Sequence, residues 1–145
     1  MNIRLLAALA GATIVLAACS LPLIGSSPTP SPTPRLSSTG HLTIVQPVAN
    51  TVVTTTTLHV EFQLTGAHIV DITTKNVTPD TGHIHLSIDG ILISMNYQLS
   101  QDVSMQRYTP GPHILQGEFV AADHVPFSPR LITKVIIEYQ PPGST

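Results

Sequence analysis

Charge is scarce in this chain: 10% of its 145 residues are Asp, Glu, Lys or Arg, and the formal net charge is −2 at pH 7. Six basic residues cannot build the positive stripe that follows a phosphate backbone, so nucleic acid is excluded as a partner. One cysteine excludes an intramolecular disulfide, a CxxC redox motif and a thiolate-rich zinc site, which leaves stability to packing. Catalytic signatures are missing as well. No Gly-x-Ser-x-Gly elbow, Gly-rich phosphate loop or dinucleotide fingerprint occurs. Glu61, Glu118 and Glu138 each alternate with apolar residues, which reads as solvated strand faces rather than a carboxylate pair. The chain is therefore not expected to be an enzyme.

What it does contain is unevenly distributed. Arg4 precedes an apolar run from Leu5 to Ala18, too short to span a bilayer comfortably and without a stop-transfer charge cluster, so residues 1–18 read as a removable secretory signal. The run ends Leu16-Ala17-Ala18-Cys19, and here the chain resembles bacterial lipoprotein precursors. The resemblance implies cleavage before Cys19 and a thioether-linked diacylglycerol on it, hence an extracytoplasmic protein held to the cell membrane or outer membrane. Two or more acyl chains anchor stably where one is marginal, because each buried methylene contributes about 0.8 kcal/mol. Residues 19–40 then turn to Ser, Thr and Pro, with the repeat Ser-Pro-Thr-Pro-Ser-Pro-Thr-Pro at Ser27 to Pro34. Alternating prolines favour an extended rod, so this stretch reads as a spacer rather than a proline-rich ligand.

Residues 41–140 form one domain, followed by a tail at 141–145. His41 to Gln46, Thr57 to Leu64 and His83 to Asp89 place apolar side chains at period two, and Ile91 to Met95, Gln101 to Met105, His113 to Ala122 and Leu131 to Tyr139 complete the set. Pro47, Asn50, Gly66, Pro79 to Gly82, Asp89-Gly90, Pro110 to Pro112 and Pro126 to Pro129 punctuate them as turns. About seven short strands without helical periodicity predict an all-β sandwich, with an up-and-down barrel as the alternative. Phe62, Leu86, Leu115 and Phe119 are the core candidates.

The order of these strands, with the Pro-Gly-x-His-x-Leu run at Pro110 to Leu115, resembles immunoglobulin-like and fibronectin-like modules. The second proline, Pro112, and the missing cysteine pair separate it from antibody-type domains. Gly82 to Gly90, Pro110 to Leu115 and Asp123 to Pro129 are similar to small secreted bacterial domains of unassigned function. These resemblances imply a fold and an envelope location, and no activity.

The seven histidines are the remaining chemical feature. His41, His59 and His68 are scattered and read as surface residues. His83 and His85 are two apart on one strand, so both imidazoles share a face while Ile84, Leu86 and Ile88 occupy the other. A two-residue turn at Asp89-Gly90 sets His85 opposite Ser94 and His83 opposite Asn96, with Met95 beside Ile84 in the core. In an immunoglobulin-like sandwich the strand starting at His83 runs antiparallel to His113 to Ala122. This brings His124 near His83 and His85 and leaves His113 at the far end beside Asp89, with a structural job. Asp123 either accepts a hydrogen bond from His124, as a carboxylate behind a metal ligand does, or shapes the turn. Three neutral imidazoles suit zinc or copper and leave a coordination position open, with binding expected to weaken as pH falls through about 6.5. The sequence thus points to a non-catalytic binding or structural module on a lipid anchor, with an envelope protein or a metal ion as its partner, and alternatively to a copper- or zinc-binding lipoprotein using His83, His85 and His124.

Overall fold

A computed structural model of the protein describes residues 34–143, and everything below concerns those residues. The signal segment, Cys19 and nearly all of the proline repeat lie outside them. The elements are β1 (His41–Gln46), β2 (Val52–Val53), β3 (Thr57–Thr65), β4 (His68–Ile69), β5 (Thr81–Ile88), β6 (Ile91–Asn96), β7 (Ser100–Ser104), β8 (Gly111–Ala121) and β9 (Pro126–Tyr139). One sheet has the order β1-β3-β7, and the other runs β2-β9-β8-β5-β4, with β6 also paired to β5. Apart from the two-residue strands β2 and β4, every pairing is antiparallel. Strands that are distant in sequence become neighbours in each sheet, and this is the connectivity of an immunoglobulin-like sandwich.

The two inner faces make one core. Ile44, Leu58, Val60, Phe62 and Val103 come from the first sheet and Ile84, Leu86, Ile88, Leu115, Phe119 and Ile137 from the second. Each follows from alternation along its strand, and burying one such side chain contributes about 1.5–3 kcal/mol. Gly117 lets the sheets close over this core, because a Cβ there would press into the ring of Phe62. All four expected core residues, Phe62, Leu86, Leu115 and Phe119, are buried.

Three expectations need correction. The Asp89-Gly90 turn forms with positive φ at both residues (51° and 81°) and pairs Ile88 with Ile91. The register then shifts: Ser87 pairs with Leu92 but Leu86 pairs with Ser94, so Ile93 is an extra residue in β6. Beyond this bulge His85 faces Met95 and Ile84 faces Asn96, one place off the simple count. Met95 is thereby turned out of the core, 48% exposed, and Asn96 is buried in its stead. Glu118 is not solvated: it is 6% exposed and receives two hydrogen bonds from Arg130, Nε to Oε1 at 2.6 Å and Nη2 to Oε2 at 2.5 Å. Finally, β9 starts at Pro126 rather than Leu131 and runs through Pro129. It pairs with β8 at Pro126 and again from Leu131, and the register shift opposite Phe119 and Val120 leaves Phe127 to Arg130 outside that ladder, so Pro129 removes no ladder bond.

Bonding to the sandwich extends ahead of β1. Residues 35–40, read from composition as the end of the spacer, are bonded to the sandwich: Ser128 N donates to Leu36 O, while Thr39 N and Ser38 Oγ donate to Asp80 Oδ1.

Candidate metal centre

The histidine cluster is assembled by one antiparallel pairing. β5 and β8 pair from Gly82–Ala121 to Ile88–Leu115, so the start of β5 lies beside the end of β8 and the turn that follows it. Gly82 allows the close approach, since a Cβ there would strike the carbonyl oxygen of Val120. After β8 the chain reverses tightly, with His124 N donating to Ala121 O at 2.9 Å and Ala121 N donating to Val125 O at 3.2 Å. His124 occupies this turn with φ of 64°, the left-handed region that few non-glycine residues adopt. The loop between β4 and β5 is tied alongside, Thr74 N donating to Ala122 O at 3.1 Å and Val70 N to Gly82 O at 2.8 Å.

The structure brings His83, His85 and His124 together. His83 Nε2 lies 2.9 Å from His124 Nδ1 and 3.2 Å from His85 Nε2, and His85 Nε2 lies 3.4 Å from His124 Nδ1. His83 is fully buried and the other two are partly exposed, so the cluster opens to solvent on one side. Tyr97 covers His83 with ring centroids 5.2 Å apart, and Thr73 Oγ1 lies 3.0 Å from His124 Nε2. When His124 gives its Nε2 proton to Thr73, its Nδ1 turns a bare lone pair toward the other two rings. His83 Nδ1 is buried and has no hydrogen-bond partner. This nitrogen lies outside the triangle, whose His83 corner is Nε2, so its burial is a cost that nothing held at Nε2 relieves.

Burial holds the His83 imidazole neutral, with its pKa lowered from 6.5 to about 4, and any charge on His124 or His85 adds to the effect. His85 is lowered for the same reasons, burial first and then His124, with Glu118 pulling the other way. Both β5 rings thus stay unprotonated below the ordinary imidazole range and keep a lone pair available for coordination.

The other expected participants go elsewhere. Asp123 does not orient His124: Arg35 grips it with Nη1 to Oδ2 at 2.8 Å and Nη2 to Oδ1 at 3.0 Å, and its Oδ1 also accepts from Val125 N. Of its two readings, the turn-shaping one is the geometry found. Arg35 further donates to the carbonyls of Val125 and Pro126, so one guanidinium closes the whole 123–126 turn. Sequence reasoning passed over Arg35, although it is the one charged residue between Cys19 and His41. His113 sits at the other end, its Nδ1 donating to Asp89 Oδ2 at 2.6 Å and its Nε2 to Thr109 O at 2.8 Å. His41, His59 and His68 are exposed, with His59 Nδ1 bonded to Asp102 Oδ1 at 2.7 Å.

A hollow of about 220 Å³ opens beside His85, lined by Ser87, Leu92, Gln116, Glu118 and Arg130. The larger hollow of about 610 Å³, between Val45 and His59, is lined by Val, Thr and Pro and holds no cluster of titratable groups. No family model and no curated protein matches the chain. Among solved structures it is similar to the solution structure of the PKD domain (329–428) from human KIAA0319, at 13% identity, 83% of this chain and 96% of that one, with a TM-score of 0.39.

Proposed function

We propose that this domain is a non-catalytic metal-binding module, displayed outside the cytoplasm on a lipid anchor at Cys19, that holds one zinc or copper ion on His83, His85 and His124. The observation that carries the reading is the triangle of imidazole nitrogens, 2.9, 3.2 and 3.4 Å on a side. Its corners lie on a circle of about 1.8 Å radius, so an ion at the usual Zn–N distance of about 2.0–2.1 Å rests just above their plane, as in a tetrahedral site with one position left over. An ion also accepts all three lone pairs at once, which no arrangement of three neutral imidazoles achieves among themselves.

The test is metal titration of the full chain in detergent, with Cys19→Ser so that no thiol competes. One equivalent of zinc or copper is expected to bind at about micromolar affinity or tighter. His85→Ala and His124→Ala should each lose it, and His59→Ala should keep it. Equal, weak binding by the parent and all three variants overturns the reading. His85 and His124 are chosen because they are only partly buried, so their truncation does not empty a core position.

A further inference from the structure

The bulge in β6 gives the cluster a neighbour that a regular hairpin would not. Met95 is the direct cross-strand partner of His85, and Asn96, next along, points inward against Ile84. Met95 therefore shares the outer face with His85, where directly opposed side chains have Cβ atoms about 4.5–5.5 Å apart. It is 48% exposed. The other methionine among the described residues, Met105, is fully buried in the core.

The hard donors around the cluster are already committed. Glu118, which flanks His85 on the β8 side, has both oxygens on Arg130. Asp123, next to His124, has both oxygens on Arg35. On the same face, the cross-strand position opposite His85 carries the thioether of Met95. A donor set of three neutral imidazoles and one thioether brings no negative charge and a soft atom, which favours a soft monovalent cation over a divalent one.

Resting on the reading of the triad given above, we propose that Met95 completes the site as a thioether ligand and that the ion it selects is copper in its cuprous state. No electron transfer is involved: the ion enters and leaves as Cu(I).

The experiment uses the full chain with Cys19→Ser in detergent, titrated under reducing conditions with Cu(I) against a chromophoric chelator and separately with Zn(II). Met95→Leu is expected to weaken Cu(I) binding by roughly tenfold or more while leaving Zn(II) within about twofold. With ¹³C-methyl-labelled methionine, the Met95 methyl resonance should move on adding Cu(I) while that of buried Met105 stays in place. If Met95→Leu binds Cu(I) as the parent does, or both metals weaken alike, the thioether assignment falls and the triad stands. If His85→Ala also leaves both metals bound as before, the triad falls with it. Because Met95 is exposed, Met95→Leu leaves the core intact and its result bears on the ligand alone.

Discussion

His113 is the histidine that the fold uses for structure. Both of its nitrogens face acceptors, the Asp89 carboxylate and the Thr109 carbonyl, which is the environment of a charged imidazolium. Burial opposes that charge, but the bonds to Asp89 and Thr109 and the charges of Asp89 and Glu138 outweigh it and raise the pKa. Burial likewise raises the Asp89 carboxyl, and the His113 bond, the Ile114 N–H and the His113 charge outweigh this to bring it down. A raised imidazole pKa gives stability that is complete below the unfolded value of about 6.5 and fades as pH rises through the folded value. A lowered carboxyl gives stability complete above about 3.9 and lost as pH falls through its folded value. The pair therefore contributes most between about pH 4 and 6.5. Asp89→Asn should narrow its stability gap from the parent as pH rises above about 6.5, and taking the difference cancels the separate titration of His83. Urea unfolding of both proteins from pH 5 to 9 measures it, and a constant gap across that range would show that His113 is not charged. The position of His113 beside Asp89 was legible in the sequence from topology, and its second bond to Thr109 was not, because nothing local marks a loop carbonyl that folds back onto a ring.

At the scale of elements, the segment 35–40 and the turn 122–126 behave as one unit. Arg35 links them through four hydrogen bonds, two to the Asp123 carboxylate and one each to Val125 O and Pro126 O. The bond to Arg35 is the main reason that the Asp123 carboxyl stays below its usual range, against the opposing effect of burial. Arg35→Ala should cost about 1–3 kcal/mol, the range for charged and partly buried hydrogen bonds. Arg35→Lys should recover little of this, since an ammonium lacks the planar fork that spans both carboxylate oxygens. A shift of the urea midpoint with unchanged slope reads the loss, and a midpoint within error of the parent for Arg35→Ala would show that the turn holds itself. Composition had assigned Arg35 to the spacer because all eight residues before it alternate Pro with Ser or Thr. Contacts made about 90 positions away in sequence, at Asp123 to Pro126, overrule that local reading. The bulge at Ile93 had no local mark either. The Asp89-Gly90 turn sets the first pair correctly, and an inserted residue further along the hairpin moves Met95 across the sheet.

For the whole molecule, the proposal to test is the lipid anchor at Cys19, which lies outside the described residues. Cys19→Ala should remove the lipid and send the protein to the soluble fraction, or leave it unprocessed at the mass of the precursor. Phase partitioning and intact mass measure this together. Mature mass with detergent-dependent partitioning in Cys19→Ala would overturn the anchor.

The sequence by itself determined the sandwich, its core and the pairing of His83 with His85 on one face. Period-two alternation, turn residues and strand order are local signals, and backbone geometry converts them directly into faces and neighbours. Tertiary structure alone decided that Met95 faces outward, that Glu118 is buried on Arg130, that Asp123 answers to Arg35, and that the three nitrogens meet within 3.4 Å. Each of these depends on a one-residue shift or on a contact between distant segments. The physical reason is that a strand's faces follow from its own alternation, whereas the partner of a side chain follows from whatever the rest of the chain places beside it.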